Sequence, residues 1–412
     1  MKILITTVTR MSNRGVDALV ASKAAELRKT FPGASVEVLT TDPEVNEPFL
    51  QLRGLPCHYD PYSERRYRSF IHPGSRRWTL RKLTGRPRTL GAVSGLARGF
   101  DLAVATGGDN MSSDYGTPSI YLAALHQIAD EGVPIAMLGQ SIGPFRHPEH
   151  RESFIRLANR CALITVRETA SLAYVLDDLK LPKEKVRLTA DVAFLLEPSP
   201  SDWAGQAMAS FGIDLARPVI ALSVSGGIAG FAGSDGGRHV EALERMTRRL
   251  MAETGAQVLL IPHVEDHRAS NNDLIACDAL MRAMGYPVDL RLARGFFTSN
   301  DYKAIVARCD MVIAERMHVA IAGLSSGLPV FVIGYSVKGH GIMSDCFGVD
   351  SRAEGLVTPL QDFMDDPAED EKILSVWARR AELGASLRER LPALKARAAE
   401  NFSLLPAVAK RA

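Results

Sequence analysis

What most narrows the folds open to this chain is a rhythm: short apolar runs rich in β-branched residues alternate with amphipathic stretches of helical period. In the first half the runs are KILITTV, SVEVLT, FDLAVAT, VPIAMLG and CALITV, with helix-like stretches at 16–30, 117–131, 149–160 and 169–179. Such alternation predicts βαβ units around a parallel sheet, because parallel strands need a crossover that covers the sheet face. At EPSPSDWAGQ, residues 197–206, proline, serine and glycine interrupt the rhythm, and it restarts at PVIALSVS. It then runs through AQVLLIP, VDLRLA, DMVIAE and PVFVIGY, with helices expected at 239–254, 269–284, 299–308 and 317–326.

The expectation is an α/β protein of two Rossmann-like domains facing an interdomain cleft, residues 1–196 and 218–360, with a linker at 197–217 and a helical tail at 361–412. A length of 412 residues agrees, since a domain takes about 150. The tail leucines and Trp377 are expected to pack back on the domains, and a homo-oligomer contact through the tail stays open.

Charge excludes some functions. The 49 basic and 47 acidic side chains sum to +2, which speaks against a nucleic-acid partner. Locally the balance breaks: residues 65–88, inside an insertion at 61–95, hold nine Arg or Lys and no acid, which leaves −7 for the rest of the chain. Interleaved with Tyr67, Phe70 and Trp78, this run by itself suits nucleic acid, an anionic membrane surface or a polyanionic substrate; the plainer alternative is a solvated loop. No apolar run approaches the roughly 20 residues of a membrane span, and the start MKILITTVTRMSNRG has no cleavage pattern. A cytoplasmic protein is expected, peripheral at most to the inner membrane face. Five scattered cysteines without a CxxC pair fit neither a disulfide scaffold nor zinc. His263, Asp266 and His267 in IPHVEDHR lack HExxH spacing, so neither metal nor cofactor is expected.

Open parallel sheets bind ligands beyond the carboxyl ends of their strands, where loops and helix N-termini converge. Polar residues follow the predicted strands at those ends: Asn13; Gly107, Gly108, Asp109 and Asn110; Gln140 and Ser141; Arg167 and Glu168; Gly226; His263; Arg316 and His318; Lys338. Arg316 and His318 open a small-residue helix, VAIAGLSSG, whose positive dipole end disfavours a cation unless an anion joins it. An arginine fork there matches phosphate or carboxylate. The plainer reading pairs Arg316 with Glu315. Arg167 has a similar neighbour in Glu168, Lys338 in a loop reads equally as solvated, and Asp109 is either a general base or a helix cap. The glycine-rich run at 226–237 matches no phosphate-loop spacing, and the GxSxG elbow is absent.

The segments TGGDN, LGQSIGPF, ITVRETASLAYVL, LTADVAFLL and ERMHVAIAGLSSGLPVFVIGYSVKG together resemble the polysaccharide pyruvyl transferase family, over about residues 3–348. The resemblance implies a GT-B-like fold, with phosphoenolpyruvate as donor substrate and a sugar in a polysaccharide or lipid-linked glycan as acceptor. It implies Arg167, Arg316 and Lys338 as donor-binding, His318 as acid–base, and Asp109 as base for an acceptor hydroxyl, with Asn13, Asn110 and Gln140 holding the acceptor. The GGD sequence departs from the family's usual third glycine, so Asp114 rivals Asp109. A nucleotide-sugar glycosyltransferase, or a non-catalytic glycan-binding protein on the same fold, are the alternatives.

Overall fold

A computed structural model describes residues 1–64, 71, 93–114, 116–231, 236–334 and 337–409. The basic run 65–88 therefore lies, apart from Ile71, outside the described residues. The chain divides into two compact units, one of residues 1–11, 19–192 and 397–412, the other of residues 12–18 and 193–396.

In the first unit the strands are β1 (Lys2–Val8), β2 (Ser35–Thr40), β3 (Cys57–Tyr59), β4 (Leu102–Ala105), β5 (Gly108–Met111), β6 (Ile135–Ile142), β7 (Leu163–Val166) and β8 (Val186–Leu188). They pair in the order β3-β2-β1-β4-β6-β7-β8, with β5 off this path and bonded to β6. The pairs are parallel, Ile3 of β1 lying between Val36 of β2 and Leu102 of β4. Helices on both faces bury the central strands completely: Ile3, Leu4, Ile5 and all four residues of β4 have no exposure. That is why these strands read as unbroken apolar runs and do not alternate.

The second unit repeats the plan with β9 (Val219–Ser223), β10 (Gln257–Leu260), β11 (Leu290–Leu292), β12 (Met311–Ala314), β13 (Val330–Gly334) and β14 (Val357–Pro359). Their order is β11-β10-β9-β12-β13-β14, again parallel. In each sheet the connection reverses direction at the first strand, which sets a switch point between β1 and β4 and another between β9 and β12.

Several elements depart from the expectation. β3, β8 and β14 carry only three residues each, too few for a periodic signal. β5 is the polar stretch GDNM, read from sequence as a strand-end segment with Asp109 as base or helix cap; it is a strand because it pairs with the C-terminal half of β6. The helix expected from 269 begins at Asp273, where Asn272 accepts the Leu274 N–H at 3.0 Å and caps it. The interval 197–217 contains the helix Ser201–Ser210.

Helices Leu360–Asp365, Glu369–Ala378 and Arg380–Ser403 follow β14. Trp377, Leu383, Leu387 and Leu394 are buried and Leu391 half-buried. Within the second unit Arg388 donates to the Gly327 carbonyl and Arg390 to that of Cys346. Asn401, in the first unit, is fully buried; it accepts from the Thr165 and Thr189 hydroxyls and donates to the Ala190 carbonyl. Among the described residues no helix is long and apolar enough to cross a membrane.

Candidate functional site

In the second unit the residues after β9, β10 and β12 are tied together by one carboxylate. Asp273, at the start of its helix and without exposure, accepts the backbone N–H groups of Gly226 at 2.9 Å, His263 at 3.1 Å and Val264 at 2.8 Å. It also accepts Nη2 of Arg316 at 2.6 Å and its Nε at 3.2 Å. Gly226 must be glycine for this closure, because a Cβ there would lie 2.6 Å from the Asn272 carbonyl oxygen. Two loops and the arginine of a third thus share one buried carboxylate, which fixes the guanidinium by a charge-assisted pair.

Arg316 is the N-cap residue of the helix Met317–Ser325, its side chain makes no capping bond, and 16% of that side chain is exposed. It does not pair with Glu315. That carboxylate turns away, accepting the Ser225 N–H at 2.7 Å and Nε2 of His239 at 2.6 Å. Burial alone would lower the pKa of His239, but the charge and hydrogen bond of Glu315 together raise it above the usual imidazole value. His263, at the end of β10, is buried and held neutral, first by desolvation and then by the charges of His318, Arg14 and Arg316. His318 is half-buried as the second residue of the helix that Arg316 caps. The arginine fork and the N–H groups of a helix N-terminus here offer hydrogen-bond donors suited to an anion.

Asn13 belongs to this unit. It forms a β-bridge with Val264, and its Oδ1 accepts the Gly15 N–H at 3.0 Å. Beside it Arg14 is buried, donating to the Phe297 carbonyl, the Ser12 carbonyl and Glu265. Asp17 accepts the Ser299 N–H at 2.7 Å. Lys338 stands in the first turn of Val337–Phe347, and its side chain lies outside the described residues.

The first unit gathers Arg167, Asp109, Asn110 and Gln140. Arg167, only 1% exposed in its side chain, donates to Asp191 at 2.6 Å, the Ser141 hydroxyl at 2.7 Å and Asp109 at 3.1 Å, with Glu168 at 3.5 Å. Asp109 keeps 22% of its side chain exposed. It lies in β5 and so is not a helix cap. Asp114 sits apart from Arg167's partners, 3.5 Å from Arg146. Asn110 donates to the Thr7 carbonyl at 3.0 Å and the Thr106 hydroxyl at 3.2 Å. Gln140 is fully buried, and neither amide atom has a hydrogen-bond partner among the described residues.

Beneath this group Lys23 is completely buried, its amine on the Thr106 carbonyl; desolvation, opposed by Asp191, pulls its pKa down to about 7. Thr7, a β-branched residue at φ 62°, carries backbone strain at the end of β1, a feature concentrated at functional sites. Gly107, expected to admit a ligand, has another requirement: at φ 91° its missing Cβ would lie 2.6 Å from the Leu138 carbonyl oxygen. Among the described residues no three metal-ligating side chains converge, and Asp266 is occupied by Arg268 and Asn271 in a turn.

Sequence reasoning missed Asp273, Asp191, His239 and Lys23; it placed His263 at a strand end and weighed it further as a metal ligand. Asp191 lies in the quoted LTADVAFLL and offered a signal; Asp273 reads as an ordinary acid in a first helical turn.

Two parallel sheets of this order, each with charged groups at its strand ends, define the GT-B-like class of double Rossmann folds. The fold is similar to UDP-GlcNAc 2-epimerase from Neisseria meningitidis bound to UDP-GlcNAc, at TM-score 0.62 and 14% identity, covering 99% of this chain and 100% of that one. It is also similar to Anabaena HepE in complex with UDP-glucose, at TM-score 0.59 and 14% identity over 98% and 99% of the two chains. The family is narrower than the fold. Residues 13–337 match the model of the polysaccharide pyruvyl transferases, and the chain belongs to that family. A relative is the amylovoran biosynthesis protein AmsJ of Erwinia amylovora, 23% identical over 366 residues, covering 83% of this chain and 85% of AmsJ.

Proposed function

We propose that this protein modifies a polysaccharide or its lipid-linked precursor by moving a pyruvyl group from phosphoenolpyruvate onto sugar hydroxyls, forming a pyruvate ketal and releasing phosphate. The observation that carries the reading is Arg316 at a helix N-terminus, oriented by Asp273, with His318 two residues on in the first turn of that helix. Membership of the family supports it, as does the polysaccharide role in the name of AmsJ.

The donor brings a carboxylate and a phosphate. The Arg316 fork and the helix N–H groups are suited to that charge, and Lys338 is proposed to add positive potential; Arg167, expected on the donor but buried against three carboxylates, is proposed instead to hold Asp109 in place. His318 would protonate C3 of the enol, raising carbocation character at C2. Asp109, the part-exposed carboxylate of its cluster, would take the proton of the attacking sugar hydroxyl. Loss of phosphate and closure by the second hydroxyl complete the ketal. Asn13, Asn110 and Gln140 were expected to hold the acceptor. In the structure Asn13 and Asn110 order local backbone and Gln140 is buried, so their proposed part is to shape the loops around it.

Thermal unfolding with added ligand tests the reading. Phosphoenolpyruvate should raise Tm and Arg316→Ala should abolish the rise, while phosphate should be released only when a carbohydrate acceptor is present. Stabilisation by a nucleotide sugar and not by phosphoenolpyruvate would overturn the proposal in favour of a glycosyltransferase.

A further inference from the structure

Gly15 is the second residue of the helix Arg14–Thr30, a place where glycine gains nothing from its backbone freedom: its φ lies outside the left-handed region. Alanine is a better helix former there. The reason for glycine is space. A Cβ at position 15 would lie 2.4 Å from Nδ1 of His318, 2.9 Å from its Cγ and 3.1 Å from Oδ1 of Asn13. The backbone of residue 15 therefore rests directly on the imidazole.

The segment that carries Gly15 is held too firmly to yield. Arg14 N–H donates to the His263 carbonyl at 2.9 Å and Glu265 N–H to the Ser12 carbonyl at 3.0 Å. The buried Arg14 guanidinium reaches the Phe297 carbonyl at 2.5 Å and Glu265 at 2.5 Å. Asp17 binds the first N–H of the helix Ser299–Val306 at 2.7 Å, and Asn13 turns the chain by accepting the Gly15 N–H. His318 is a half-buried side chain with two rotatable bonds, whereas residue 15 is backbone in a tied segment, so of the two groups in contact it is the ring that gives way. Alongside it lies a cavity about the size of one water molecule, lined by His263, Ser299, Tyr302, Val319 and Ala322. The hydroxyls of Ser299 and Tyr302 are buried there without a hydrogen-bond partner among the described residues.

We propose that residues 12–17 form a strap that sets the position of the His318 imidazole, with Gly15 as the positioning residue whose missing side chain lets the strap close on Nδ1. The role rests on the reading of His318 as the acid–base group, and goes beyond it by naming what aims the ring. A side chain at position 15 drives the imidazole toward the cavity, away from its working orientation, and leaves Arg316 on Asp273 undisturbed.

The test is Gly15→Ala in the full chain labelled with 13C at histidine Cε1, the His318 signal being assigned by its loss in His318→Gln. The His318 ring resonance should shift while the other ring signals hold. The kcat for acceptor-dependent phosphate release should fall at least about tenfold, and KM for phosphoenolpyruvate should stay within about twofold. An unmoved His318 resonance in a folded Gly15→Ala protein overturns the strap. A moved resonance with unchanged kcat keeps the strap and removes His318 from the chemistry, so the two readings fail separately. Should Gly15→Ala not fold, Asn13→Ala loosens the same turn without adding atoms. It should broaden or shift the same resonance, and an unchanged one would equally overturn the proposal.

Discussion

Arg167 and Arg316 follow buried strands of equivalent type in the two units, yet their surroundings differ. Arg167 lies within 3.5 Å of three carboxylates, those of Asp109, Asp191 and Glu168, and its side chain is 1% exposed. Arg316 pairs with the carboxylate of Asp273, donates to the Asn271 amide oxygen at 3.2 Å, and keeps 16% of its side chain exposed. In the first unit the guanidinium compensates buried negative charge. In the second, backbone N–H groups already satisfy much of the carboxylate, so the arginine carries less of the cost of burying it. A strand followed by arginine is one sequence pattern with two electrostatic outcomes, decided by how many acids the fold brings to it.

The largest expected effect would break that contrast. Arg167→Met strands Asp191 in a buried site and should cost about 3–5 kcal/mol of stability. Arg316→Met should cost only about 1–3 kcal/mol, because Asp273 retains three backbone donors. Urea unfolding of the two variants checks this, and equal losses would refute the difference. Next comes Asp273→Asn, which keeps the shape but weakens the hold on Arg316. It should raise KM for phosphoenolpyruvate about tenfold, equivalent to roughly 1.4 kcal/mol, with a smaller change in kcat. Steady-state kinetics with donor and acceptor varied in turn would show whether the effect is confined to the donor.

The smallest effect concerns His239. Its folded pKa is raised by Glu315 above the unfolded value near 6.5. The stability that the pair contributes is therefore complete below about pH 6.5 and is lost as pH rises through the folded value. Denaturant midpoints of His239→Gln should lack this decline, while the wild type shows it; parallel pH profiles would show that the pair has no such linkage.

Much of this could be read from the chain because fully buried parallel strands announce themselves: LAVA in β4 and MVIA in β12 have no polar residue to disguise them. Residues placed directly after such runs, Asp109, Arg167, Arg316 and His318, were accessible for the same reason. β5 was not, since GDNM is made a strand by its neighbour β6 and not by its composition. Asp273 was hidden for a related cause. Its partnership with Arg316 spans 43 residues, and nothing local distinguishes it from an acid placed to suit a helix dipole. His239 was likewise hidden, 76 residues from Glu315.

The return of residues 397–412 to the first unit bears on how the protein is made. Asn401 satisfies the hydroxyls of Thr165 and Thr189 and the carbonyl of Ala190 in the interior. During synthesis, at about 5–20 residues per second, those groups wait for it until all of 193–396 has left the ribosome. The first unit, begun first, is thus the last to close, and the second can assemble while the other still lacks its final piece. A nascent chain arrested at 396 would expose this order as protease sensitivity confined to the earlier-made sheet.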